Sequence, residues 1–123
     1  MDEATMLQQR IWAVVGATQD PEKFGYKLYK KLKSKEYRVY AVNPLYDQID
    51  GDKCYQDLSS LPEIPQVVNM VVSPKRGKAV IEEAARLGIK YVWFQPGTVD
   101  DELLKLTKNL GLESVQGCVL VSA

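Results

Sequence analysis

Five short apolar runs punctuate the chain: Ile11–Val15, Arg38–Val42, Val67–Val72, Tyr91–Phe94, and a last one beginning near Ser114–Val115. They are rich in Val, Ile, Tyr or Trp, and their apolar character is continuous rather than alternating. That pattern suits strands covered on both faces, as in a parallel sheet. Between the runs the period becomes helical. Phe24, Leu28 and Leu32 recur at i, i+4, i+8 in a segment from about Glu22 to Lys35. Val80, Ala84 and Leu87 mark a second helix over Lys75 to Leu87, and Leu103, Leu106 and Leu110 a third from about Asp100 to Leu110. Each set forms one stripe for a core.

The ends of these segments carry their own signals. Ser73-Pro74 reads as an N-cap followed by proline at the first helical position, where a missing N–H costs nothing. Thr98-Val99-Asp100-Asp101 has capping-box spacing, with acids at the positive end of the helix dipole. Gly88 and Gly111 fall just past two helices, where a left-handed residue is needed. Only the stretch from Pro44 to Pro65 is weakly patterned; it reads as a loop with a short helix near Asp57–Leu61.

Alternating strands and helices define an α/β fold, an open parallel sheet of about five strands with helices on both faces. Right-handed crossovers predict the strand order 3-2-1-4-5. In such sheets ligands bind beyond the carboxyl ends of the strands, at the switch point, here between strands 1 and 4. Four loops are therefore expected to build a site: Gly16–Phe24, Asn43–Tyr46, Ser73–Arg76 and Gln95–Thr98.

Composition narrows the function classes. The 123 residues are 46% hydrophobic and 26% charged, which predicts one soluble domain over residues 1–123. Sixteen basic residues balance sixteen acidic ones, arguing against nucleic acid or a membrane surface as a charge-driven partner. Residues 1–9 are acidic and polar, so no secretory signal is expected, and no apolar run is long enough to cross a bilayer. Cys54 and Cys118 have no CxxC spacing and read as free thiols of a reducing cytoplasm. Histidine is absent, which removes Ser-His-Asp triads, Cys-His pairs, phosphohistidine chemistry and nearly all zinc sites. No pair of the remaining acid–base residues stands out by spacing, so independent catalysis is not expected.

The opening resembles a nucleotide-binding βαβ unit. A unit that binds NAD ends its second strand in Asp or Glu, which holds the adenine ribose hydroxyls. Here that place is Asn43-Pro44. Two readings stand: a turn bordering a nucleotide without repelling a phosphate, or a plain turn starter. Gly16, with Gly25 nine residues on, is not a GxGxxG fingerprint. Gly16 either admits a phosphate to the helix N-terminus, with Thr18 and Lys23 adding a hydroxyl and a charge, or only satisfies a βα turn. Seven Lys or Arg lie between Lys23 and Arg38. Most read as a solvated face, with Lys23 and Lys27 the candidates for ligand contact.

Ser73-Pro74-Lys75-Arg76 reads as a helix cap, or as a platform where adenine lies against Val72 with Arg76 near phosphates. Gln95-Pro96-Gly97 reads as a tight loop, or as a channel for an extended ligand arm, since glycine permits close backbone approach. Cys118, ahead of Val119-Leu120-Val121, is a buried structural thiol or one near a ligand's reactive end.

Taken in order, Val14-Val15-Gly16-Ala17-Thr18, Val42-Asn43-Pro44, Gly51-Asp52-Lys53-Cys54-Tyr55 with Asp57-Leu58, Trp93-Phe94-Gln95-Pro96-Gly97 and Cys118 resemble the small single-domain CoA-binding proteins. That family is similar to the N-terminal domain of the succinyl-CoA ligase α subunit. The resemblance covers nearly the whole chain. It implies a Rossmann-like domain with coenzyme A laid across the strand ends. Gly16, Ala17 and Thr18 would receive the pyrophosphate, Asn43-Pro44 would border the 3′-phosphate, Ser73-Pro74 the adenine, and Phe94-Gln95-Pro96 the pantetheine path. Two departures accompany it. Many relatives carry Lys directly after Asn-Pro, where this chain has Leu45, so Lys23, Lys27 or Arg76 would supply the charge. Several relatives also continue into a further helix beyond the position of Ala123.

The expected function is therefore a non-catalytic CoA-binding or acyl-CoA-sensing protein. The alternatives are an enzyme or redox protein using a nucleotide of the NADP type, and an interaction module with a vestigial nucleotide pocket.

Overall fold

A computed structural model describes residues 3–118. Val119-Leu120-Val121 lies outside the described residues. Seven strands form one open, mostly parallel sheet: β1 (Ile11–Val15), β2 (Arg38–Val42), β3 (Gln48–Ile49), β4 (Asp52–Tyr55), β5 (Val67–Met70), β6 (Tyr91–Phe94) and β7 (Glu113–Gln116). The order across the sheet is β3-β4-β2-β1-β5-β6-β7. Only the β3–β4 pair is antiparallel.

This corrects the expected order. Val67–Val72 had been expected as the third strand, outside Arg38–Val42, but β5 stands against β1 instead. The outer place belongs to β4, from the stretch expected to be a loop and a short helix. Counted with β4 as the third strand, 3-2-1-4-5 is recovered from β4 to β6, with β3 and β7 as two further strands at the edges, and the switch point lies between β1 and β5.

The helices are α1 (Glu3–Leu7), α2 (Phe24–Ser34), α3 (Pro74–Arg86) and α4 (Asp101–Asn109). Leu28, Tyr29 and Leu32 of α2 pack with Trp12, Val14 and Trp93 on one face of the sheet. Ile81 and Ala84 of α3 and Leu103 of α4 pack with Ala13, Val68, Met70 and Phe94 on the other. Gly77 lets α3 approach: a Cβ there would stand 3.1 Å from the Met70 methyl and 3.2 Å from Leu103.

Trp12 and Trp93 are fully buried with ring centroids 6.0 Å apart. Their indole N–H groups donate to the Gln9 and Gly117 carbonyls at 2.8 and 2.9 Å, so neither polar edge is stranded. Truncating either to alanine would cost about 3–5 kcal/mol.

Two caps differ from expectation. Asp100, not Thr98, caps α4, accepting from the Leu103 N–H at 2.8 Å. The Thr98 hydroxyl instead donates to the Gln95 carbonyl. Ser73 occupies the cap position of α3 with Pro74 as first residue, but its hydroxyl makes no capping bond. The β4–β5 crossover carries only one 3₁₀ turn, Leu58–Ser60, capped by Asp57. A full helix there would cover β1 and β2 on that face; the single turn leaves a cleft beside α3.

Candidate functional site

Strand register builds the site. Val15 pairs with Val42 and Met70, Val42 with Tyr55, and Met70 with Phe94, so the parallel strands end in one row. The ladder runs one residue further: Gly16 N–H donates to Val42, Asn43 N–H to Tyr55 and Val71 N–H to Val15, all at 2.8–2.9 Å. Gly16, Asn43 and Val71 therefore stand side by side at the switch point, with the chain leaving in different directions from each.

Glycine is required twice here. Gly16 has φ +100°, and a Cβ on it would lie 3.0 Å from the Val71 carbonyl carbon and 3.0 Å from a Val72 methyl. A Cβ on Gly25 would lie 2.4 Å from the Gly16 carbonyl oxygen. Gly25 thus seats the first turn of α2 directly on the β1 turn, which aims helix N–H groups at the strand ends. The nine-residue spacing was visible in the sequence, but it gave no sign of this contact.

Asn43 braces the loops. Its side-chain N–H donates to the Ala17 carbonyl at 2.9 Å, and its side-chain oxygen accepts from Leu45 N–H at 2.9 Å. A carboxylate could do the second but not the first. The asparagine is therefore explained by its donor as well as by its lack of charge. Beside it the Thr18 and Tyr46 hydroxyls share a 2.8 Å hydrogen bond, tying the same two loops a second time.

A groove runs across these ends. One part, about 340 Å³, is mostly apolar, with Val15, Val42, Leu58, Val72 and Val80 in its walls. The other, about 470 Å³, lies over the β1 turn and includes Thr18, Lys23, Phe24, Leu45 and Ser73. Gly16, Asn43, Val72 and Arg76 line both, so the two are continuous. Lys23, Arg76 and Arg86 point positive charge at it, and none of the three is in an ion pair among the described residues. Its two carboxylates are already engaged. Asp57 accepts from Ser60 N–H and hydroxyl, and Glu83 accepts from Leu58 N–H and from Ser59.

Three of the four anticipated loops thus come together: Gly16–Phe24, Asn43–Tyr46 and Ser73–Arg76. Pro44 lines the apolar part. Ala17 is fully buried and takes part through its carbonyl. Pro74 starts α3 and lines a separate cleft between α3 and α4. Phe94, the last residue of β6, and Gln95 after it are buried, Pro96 and Gly97 are exposed, and none of the four lines the groove. Lys27 is exposed and also outside it. Sequence reasoning missed Leu58, Val80, Glu83 and Arg86. Val80 was recognised only as a core position, and the others lie on walls set by how the short turn expected near Asp57–Leu61 packs beside α3.

The strongest charge cluster lies away from the groove. Lys33 pairs with Asp50 and Asp52 at 3.1 and 2.6 Å, and Lys30 with Asp50 at 3.2 Å, fastening α2 to the β3–β4 hairpin. Hydrogen bonds from Lys33 hold both carboxyls below the usual range. Tyr29 donates to Asp52 at 2.7 Å, and burial with this bond pushes its phenol far up. Burial and the Glu63 contact raise Tyr40 to about 12. Burial also raises the Cys54 thiol. Among the described residues no cluster of His, Cys, Asp or Glu is arranged to hold a metal, and no helix is long and apolar enough to cross a membrane.

Comparison with known proteins follows the same lines. The chain is 36% identical over 83 residues to the α subunit of an ADP-forming acetate–CoA ligase II from Pyrococcus furiosus, covering 65% of this chain and 18% of that one. It is 33% identical over 78 residues to an ADP-forming acetate–CoA ligase of Methanocaldococcus jannaschii, covering 63% and 11%. The matches therefore span less than a fifth of these relatives' own length. The solved structure of a conserved hypothetical protein from Pyrococcus furiosus superposes with a TM-score of 0.87 at 40% identity, covering 93% of this chain and 99% of that one. The family model described as CoA binding domain matches residues 10–123, and the chain belongs to that family.

Proposed function

We propose that the protein binds coenzyme A or an acyl-CoA across the carboxyl ends of β2, β1 and β5, as a binding or sensing protein with no reaction of its own. One observation carries this: the continuous groove joins a glycine-lined, cationic half to an apolar half. The pyrophosphate lies over Gly16–Thr18 and the first turn of α2, where Lys23 makes no side-chain cap and leaves N–H groups for an anion. Arg76 stands where the halves meet and faces the phosphates. Adenine enters the apolar half between Val72 and Leu58. The pantetheine arm leaves past exposed Pro96 and Gly97, while buried Gln95 holds that loop by donating to Asn69 at 2.8 Å.

The non-catalytic half of the proposal rests on the acids. Asp57 and Glu83 are spent on capping the 3₁₀ turn, which leaves no free carboxylate in the groove as a general base among the described residues.

Thermal shift with CoA, dephospho-CoA and NAD tests the binding. Ligand at a hundred times Kd stabilises the fold by about 2.7 kcal/mol, several degrees for this size. Arg76→Ala is expected to weaken CoA about tenfold without lowering the unliganded melting temperature. No shift at saturating CoA, or a shift with NAD alone, rejects the proposal. Acyl-CoA recovered intact after long incubation is expected; steady turnover would overturn the non-catalytic half.

A further inference from the structure

A third cleft, about 350 Å³, opens at the carboxyl end of β4. Lys53, Tyr55 and Gln56 line it from one side, Tyr46 and Asp47 from the other. Its borders are shared with the groove: Pro44 and Gln56 also line the apolar arm, and Tyr46 also lines the glycine arm. Asn43 lines both of those arms. Three arms therefore meet around the turn from Asn43 to Tyr46. A linear ligand fills two arms; filling three takes a ligand with a branch point.

The third arm differs chemically from the others. Lys53 is its one cation, with its ammonium 5.1 Å from the Tyr55 ring centroid and no ion-pair partner among the described residues. The Gln56 amide has no hydrogen-bond partner among them either. Asp47 is its one acid. Such an arm suits a compact anion close to the branch point better than a base or a long thiol chain.

Building on the proposed CoA reading, in which the turn from Asn43 to Tyr46 borders the 3′-phosphate side of the ribose, we infer that Lys53 reads that phosphate in the third arm. The ribose supplies the branch that the geometry requires: base at C1′, pyrophosphate at C5′, phosphate at C3′. Lys53 supplies the charge for which Leu45, the exposed apolar residue of the same turn, offers nothing. Asp47 opposes it, so the two side chains act with opposite sign on the same phosphate.

Calorimetric titration with CoA and dephospho-CoA of the parent protein, Lys53→Gln and Asp47→Asn tests this. The parent is expected to prefer CoA by about tenfold. Lys53→Gln removes that preference and leaves dephospho-CoA affinity unchanged, while Asp47→Asn enlarges it. Both side chains are exposed, and melting curves check that both variants stay folded. Equal affinity of the parent for the two ligands overturns this inference alone. So does a preference that survives in Lys53→Gln but disappears in Arg76→Ala. Failure of both ligands to bind the parent overturns the CoA reading and this inference with it.

Discussion

Asn43→Asp changes almost nothing in size and should still be severe. Asn43 is 9% exposed, and the Ala17 carbonyl it serves belongs to a fully buried residue. Aspartate keeps the acceptor for Leu45 N–H but loses the donor, leaving two oxygens facing each other across a contact of 2.9 Å. An unsatisfied buried carbonyl costs about 1–3 kcal/mol. Burial and that oxygen raise the new carboxyl's pKa in the folded state, and each unit adds about 1.4 kcal/mol. A loss of about 3 kcal/mol at neutral pH follows, near 10 °C in melting temperature for this size. The sign with pH is distinctive. A folded pKa above the unfolded one makes the deficit full above the folded value. It disappears as pH falls below the unfolded value near 4, where the protonated acid can donate to Ala17. Urea unfolding of parent and variant at pH 8 and near pH 4 measures this. Equal stability at pH 8, or a deficit unchanged near pH 4, would refute the brace.

Other perturbations follow from the same geometry. Gly25→Ala places a methyl 2.4 Å from a backbone oxygen, so α2 must move; a loss of about 1–3 kcal/mol and weaker CoA binding are expected in melts and titrations. Leu45→Lys puts a cation on an exposed groove residue and should raise CoA affinity severalfold at low salt without altering stability, an effect that fades as salt is added. Asp50 and Asp52 are more acidic folded than unfolded, so their support is fully present above about pH 4 and is lost as pH falls through their lowered values. Tyr29→Phe should weaken the dependence at Asp52, as read by acid titration of the melting temperature.

The sheet was legible wherever both faces are covered. β1, β5 and β6 are buried almost throughout, and continuous apolar runs mark such strands. The β3–β4 hairpin escaped notice because it lies at the edge: Cys54 is the only buried residue of β4, and β3 has two residues. That omission alone displaced Val67–Val72 in the expected order. The site was legible as far as topology places loops, which brought Gly16, Asn43 and Arg76 together. Its walls were not, because Leu58 and Glu83 depend on how the crossover collapses into one turn. Nor could pattern reveal that Asn43 reaches Ala17, a partner 26 residues away that no local period encodes.

The double tie between the first two loops, Asn43 to Ala17 and Thr18 to Tyr46, also has a kinetic consequence. Both loops are held in place without a ligand, so no segment between them has to be frozen on arrival. Association should then be a single bimolecular step, its observed rate rising linearly with ligand concentration and without a plateau. Cutting the Thr18–Tyr46 tie with Tyr46→Phe should introduce preorganisation as a separate, slower event, visible in stopped-flow traces even where the final affinity changes little.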